Sequence, residues 1–174
     1  MNRIDTARLS PDQQRQFREN GYYFPVPALT RAEAAAYRER LEAFESEQGD
    51  RGKPILRQRP HLVLTWVDEL IRHPNLIAAV SSLLGPDLLV WGTSFFIKDA
   101  GDPGYVSWHQ DAPYWGLDND DTITAWVALA PSRPENGCMR VIPGSQSWAR
   151  LPHHDTHAPA NLLSRGQEIA VEVD

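Results

Sequence analysis

His109 and Asp111, two positions apart in Ser107-Trp108-His109-Gln110-Asp111, are the side chains of this sequence best placed to do chemistry. On a β-strand, residues i and i+2 leave the same face. The pair would then present an imidazole nitrogen and a carboxylate oxygen side by side. Joined by a distant histidine, those donors form the two-His-one-carboxylate set of non-haem Fe(II) sites, which leaves positions open for reactants. Asp111 would supply one negative charge. His109 would bind as the neutral imidazole, its other ring nitrogen on an acceptor. Each residue also has a plainer use: His109 as a hydrogen-bonded core histidine, Asp111 as a cap before Pro113.

Period-two reasoning extends the constellation. Ser94, Phe96 and Lys98 share one face of the preceding apolar stretch. If that stretch pairs with the His109 strand, Lys98 enters the same cavity and its charge suits a dicarboxylate; otherwise it is an edge lysine in solvent. Trp126 sits on the Thr122, Thr124, Trp126 face of a later stretch, as a pocket wall or as packing. Trp108, Tyr114 and Trp115 flank the motif and would line a mouth or pack. His153, His154 and His157 read as a solvated loop, and Lys53, Arg57 and Arg59 as a basic one.

The elements that must position these residues change character near Pro86. Before it, Ser10-Pro11-Asp12-Gln13 starts a helix with a capping box, and Asn20-Gly21 stops it. Tyr22 to Val26 reads as a short strand. Thr30 to Glu33 is a second capping box, opening a helix over Ala34 to Glu47 that ends at Gly49. Asp50 to Arg59 reads as a loop. Short helices follow at Trp66 to Arg72 and Leu76 to Leu84. After Pro86, strands are expected over Leu88 to Lys98, Tyr105 to Asp111, Thr122 to Ala130 and Cys138 to Ile142, with turns at 99–104 and 134–137. Ser147 to Asp174 reads as mostly loop with a final strand at Glu168 to Val173. Helices first and evenly spaced strands afterwards point to a mainly β protein with helical N-terminal support, most like a jelly roll.

At 174 residues the chain fits one domain, residues 1–86 as helical support and 87–174 as strands. The net charge of −6 argues against a phosphate-backbone partner such as nucleic acid. Cys138, the sole cysteine, cannot form an internal disulfide and fits a reducing compartment. The start Met1-Asn2-Arg3-Ile4-Asp5 lacks the apolar stretch of a leader, and no apolar run has the roughly 18 residues of a membrane span. A cytoplasmic protein without membrane partners is therefore expected.

Three runs taken together resemble the phytanoyl-CoA dioxygenase family: Val106 to Trp115 around the H-Q-D motif, Thr124-Ala125-Trp126-Val127-Ala128-Leu129, and Glu135-Asn136-Gly137-Cys138 continuing to Val141-Ile142-Pro143-Gly144-Ser145. The stretch from Gln14 to Phe24 is similar to the start of these proteins as well. The resemblance implies a double-stranded β-helix (jelly-roll) oxygenase that uses Fe(II), 2-oxoglutarate and O₂ to hydroxylate a C–H bond of a small molecule. It implies that His109 and Asp111 are metal ligands and catalytic, and that Lys98, Trp126 and Ser94 line the 2-oxoglutarate pocket. Asp111 favours hydroxylation over the halogenation of relatives that have a small residue there. The family's later histidine ligand and arginine have no match before Asp174, so more chain or a second copy is expected to complete the barrel. Two other readings stay open. One is a non-catalytic jelly-roll binding or scaffold protein without the distal ligand. The other is a cupin-like zinc or manganese hydrolase with His153 or His154 as third ligand.

Overall fold

The structure is a computed structural model and describes residues 7–119, 121–163 and 165–171. The segment Met1 to Asp5 and positions 172–173 of the expected last strand lie outside the described residues. Two compact units are present. The first takes in 7–16, 23–97 and 123–131, and the second takes in 17–22, 98–122 and 132–171.

Helix α1 spans Pro11–Asn20. Its capping box forms as the sequence requires: Ser10 N–H donates to Gln13 Oε1 (2.7 Å) and Gln13 N–H to Ser10 Oγ (3.3 Å). Gly21 ends the helix at φ 82°, its N–H donating to the Phe17 carbonyl.

In the first unit α2 covers Arg31–Gln48 and opens with the Thr30–Glu33 box, Thr30 N–H donating to Glu33 Oε2 at 2.8 Å. Helices α3 (Lys53–Arg57), α4 (Thr65–Ile71) and α5 (Pro74–Leu84) follow. Leu41, Leu56, Val67, Leu70, Ala78 and Ala79 are buried, one or two from each of these four helices. Burial of these apolar side chains, more than intrinsic propensity, is what stabilises helices in a folded chain.

Two expectations fail here. Tyr22 to Val26 forms no strand; it is irregular and contains the cis Phe24–Pro25 bond. Asp50 to Arg59 is not a loop throughout. A 3₁₀ turn at Gly49–Gly52 runs into α3, which buries Leu56 in an otherwise polar segment.

The expected sheet is also not closed among the described residues. Leu88 to Lys98, Thr122 to Ala130 and Cys138 to Ile142 form no ladder. The backbone of the first bonds to the helical layer instead: Phe95 N–H donates to the Leu56 carbonyl (2.8 Å), and the Thr93 carbonyl accepts from Arg59 N–H (3.0 Å). The alternation survives without the ladder. Phe95 and Ile97 are half-buried, while Ser94, Phe96 and Lys98 are exposed.

The second unit has a two-stranded antiparallel hairpin, β1 (His154–Asp155) with β2 (Gln167–Glu168). It buries Gln167 and Ile169. Tyr105 to Asp111 is not a strand either. It makes one isolated bridge, Tyr105 with Asn161, and its end turns into the single-turn helix α6 (Ala112–Trp115). Proline at the second helical position favours that turn.

Candidate functional site

The segment holding His109 and Asp111 is laced to the later chain of its own unit. Ser107 Oγ donates to the Gln167 carbonyl and accepts from Asn161 Nδ2 (2.8 Å). The Trp108 carbonyl accepts from Ile169 N–H (2.9 Å). These bonds fix the backbone just before His109.

His109 and Asp111 face each other. Nε2 of His109 lies 3.1 Å from Oδ1 of Asp111, and Nδ1 lies 2.8 Å from the Ser107 carbonyl. The carbonyl can only accept, so Nδ1 carries a proton and Nε2 is the nitrogen directed at the carboxylate. The hydrogen bond to the Asp111 carboxylate raises the imidazole pKa above its ordinary value; partial burial opposes this less strongly, while the Ser107 carbonyl adds to it. The His109 side chain is 23% exposed and that of Asp111 47%.

The shared direction does not come from a strand. Asp111 has helical dihedrals (φ −71°, ψ −43°) and occupies the N-cap position of α6. Its carboxylate makes no capping hydrogen bond there. The plain reading of Asp111 as a cap thus fails. The donor set is one imidazole nitrogen and one carboxylate oxygen about 3 Å apart, the spacing of neighbouring ligands about 2.1 Å from an octahedral ion. Among the described residues, no group of three or more His, Cys, Asp or Glu could hold a metal ion.

His153 was expected in solvent; it is half-buried instead. Its Nε2 accepts from Gln110 N–H (3.0 Å) and its Nδ1 donates to the Leu151 carbonyl (2.9 Å). Both ring nitrogens of His153 are thus engaged within the chain. His154 is exposed on β1. His157 is exposed with φ 51°.

A cleft of about 520 Å³ lies against α6 and β1, lined by Pro113, Tyr114, His153, His154, Asp155 and Arg165. Arg165 Nε pairs with Asp155 Oδ1 at 3.5 Å, and its guanidinium lies 5.9 Å from the centre of the Tyr114 ring. Burial pushes the Tyr114 hydroxyl pKa up, against the pull of Arg165.

Lys98 is exposed in the second unit beside the Glu135-Asn136-Gly137 turn, where a Cβ on Gly137 would lie 2.9 Å from its Nζ. It is not among the residues lining the cleft. Ser94 and Trp126 belong to the first unit. Ser94 is exposed, and the Trp126 ring stacks at a tilt on Phe96 with centroids 5.6 Å apart.

Sequence reasoning missed Gln110 and His153 as partners. Alternation offered one signal: the residue between two same-face side chains faces the other way and needs a partner of its own. Nothing in the sequence said that the partner lies 43 residues on.

The profile of the family described as phytanoyl-CoA dioxygenase (PhyH) matches residues 17–174. The chain is 29% identical over 114 residues to a probable alpha-ketoglutarate-dependent hypophosphite dioxygenase of Stutzerimonas stutzeri, covering 64% of this chain and 39% of that protein. It is 29% identical over 138 residues to the L-proline trans-4-hydroxylase of Streptomyces griseoviridis, covering 71% and 51%. To the peroxisomal phytanoyl-CoA dioxygenase of Homo sapiens it is 24% identical over 173 residues, covering 86% and 51%. The chain spans about half the length of the curated relatives it matches. No solved structure matches it. The family profile takes in the H-Q-D pair, the segments lacing it and the residues of the cleft, and the chain belongs to the phytanoyl-CoA dioxygenase family.

Proposed function

We propose that this chain carries part of the active site of an Fe(II)- and 2-oxoglutarate-dependent dioxygenase that hydroxylates a C–H bond of a small polar molecule. The observation that carries the reading is the His109–Asp111 pair, with Nε2 and Oδ1 3.1 Å apart and Nδ1 anchored on a backbone carbonyl. An imidazole oriented by a carbonyl on its far nitrogen is a common arrangement for a metal-binding histidine. The two residues would hold the iron. With 2-oxoglutarate and O₂ the metal supplies the oxidising power, and the sum is substrate C–H to C–OH with release of succinate and CO₂.

The chain's own residues have three tasks. His109 and Asp111 give up the proton they share when the ion binds. Lys98 offers a cation to a carboxylate of 2-oxoglutarate; Ser94 and Trp126 are further candidates for binding that cosubstrate. The cleft beside α6 receives the primary substrate. Its volume is within the roughly 300–1,000 Å³ of small-molecule sites. Its lining of Arg165, Asp155, His154 and Tyr114 favours a polar molecule over a lipid chain. Relatives named for L-proline and ectoine support the same class. The reading includes a jelly roll to which 88–98, 105–111, 122–130 and 138–142 contribute strands.

The test is metal binding followed by turnover. The chain is expected to bind Fe(II) or Co(II) in equilibrium dialysis, and His109→Ala to abolish it; equal affinity in the variant would sink the ligand assignment. Iron-dependent succinate release from 2-oxoglutarate is expected of the whole protein. Failure to bind 2-oxoglutarate would overturn the activity.

A further inference from the structure

Gln110, between the two proposed iron ligands, is held at three points by one later segment. Its N–H donates to His153 Nε2 at 3.0 Å. Its side-chain carbonyl accepts from Leu151 N–H at 2.8 Å, and its amide NH₂ donates to the Ala149 carbonyl at 3.3 Å. The amide thus stands in for a peptide unit of a neighbouring strand. His153 is itself fixed, by the bond from its Nδ1 to Leu151 and by an edge-on contact with Tyr114, ring centroids 5.3 Å apart. Tyr114 in turn donates its N–H to the Asp111 carbonyl at 2.9 Å. One imidazole therefore braces the residue before Asp111 and the turn after it.

We propose that His153 and Gln110 are positioning residues, a splint that sets the angle between His109 and Asp111 without touching the metal. The inference rests on the reading of that pair as iron ligands. Its chemistry is specific. The Gln110 N–H needs an acceptor in one place, and a histidine whose Nδ1 proton is committed to Leu151 can only accept at Nε2. A cationic, donor-only side chain would oppose the N–H instead. Ligand geometry must be held to roughly 0.5 Å to be productive, and two residues on an exposed turn cannot hold it alone.

The experiment compares the wild-type chain with His153→Ala, His153→Gln and Gln110→Ala. Three readouts are needed: Co(II) titration by visible absorption, hydrogen exchange of the residue-110 amide by NMR, and far-UV circular dichroism. His153→Ala is expected to speed exchange at residue 110 and to weaken Co(II) binding about 10- to 100-fold, the usual effect of losing such outer partners, with helical signal unchanged. His153→Gln, which restores an acceptor, is expected to recover much of both. Gln110→Ala keeps the N–H bond and loses the amide clamp, so a smaller loss of affinity with near-normal exchange is expected. Should His153→Ala unfold, Gln110→Ala and His153→Gln still decide the matter. Wild-type Co(II) affinity in all folded variants, or unchanged amide exchange in His153→Ala, overturns the splint and leaves the ligands standing. No Co(II) binding by the wild-type chain overturns the ligand reading and the splint with it.

Discussion

Metal and proton compete for one atom, His109 Nε2. The Asp111 carboxylate raises the imidazole pKa above its usual value near 6.5. In the metal-free chain the charged pair stabilises the fold fully below the unfolded-state pKa, and that contribution is lost as pH rises through the higher folded-state value. Ligation has the opposite sign, because it needs the neutral ring. Fe(II) affinity is therefore expected to fall as pH drops through the raised value, with one proton released per ion bound, measurable by titration in lightly buffered solution. A flat profile from pH 5 to 8 would show that another group holds the ion. The H-x-D spacing foretold two side chains facing alike, yet the backbone reaches that result with Asp111 in a helical conformation. Spacing reported the facing but not the dihedrals that produce it. His153 was illegible for a simpler reason. Its role depends on a contact across 43 positions, and no local pattern encodes one.

Helix ends were the most legible elements, because caps are local chemistry read from four residues. Thr30 Oγ1 accepts from Glu33 N–H at 3.2 Å, as the Thr-x-x-Glu pattern requires. Thr30→Ala is expected to cost about 1 kcal/mol in chemical denaturation. The Thr30 backbone N–H, then its hydroxyl, hold the Glu33 carboxyl below its ordinary pKa of 4.5. A depressed carboxyl stabilises the fold above its unfolded-state pKa and loses that effect as pH falls through the folded value. The difference between Glu33→Gln and wild type is thus expected to shrink below about pH 4.5. Gly21 is the second legible stop, and the structure gives it a further reason. Its φ of 82° disfavours a side chain, and the space a Cβ would fill is taken by Gln146, whose Nε2 caps the Arg18 and Glu19 carbonyls at 2.9 and 3.2 Å. Gly21→Ala is expected to lose more than the roughly 1 kcal/mol of left-handed backbone strain alone, while Gln146→Ala in the same background returns part of it. Additive losses would break the link between α1 and the Pro143-Gly144-Ser145 turn. Strands were less legible than caps. Alternation is a property of one segment and appears in Ser94, Phe96 and Lys98, whereas a ladder belongs to two, and no single stretch names its partner.

At the scale of the whole molecule, the apolar stretches without a ladder leave large side chains in water. Leu89 is 99% exposed, and Val90, Trp91, Phe96 and Trp126 are each roughly half exposed. Among the described residues no helix is long and apolar enough to cross a membrane. Exposed, flat, apolar segments with free backbone groups are templates for association. The net charge of −6 is spread over 174 residues and opposes this only at long range, where salt screens it. The chain alone is therefore expected to self-associate with rising concentration and more so at high salt, seen by sedimentation velocity. Leu89→Lys separates this from folding. A side chain already fully in water contributes almost nothing to the folded state, so the unfolding midpoint is expected to stay within about 0.5 kcal/mol of wild type. The added charge should at the same time lower the association constant. If the variant unfolds more easily and associates no less, Leu89 packs in solution, and segment 88–98 is covered by contacts other than those seen here.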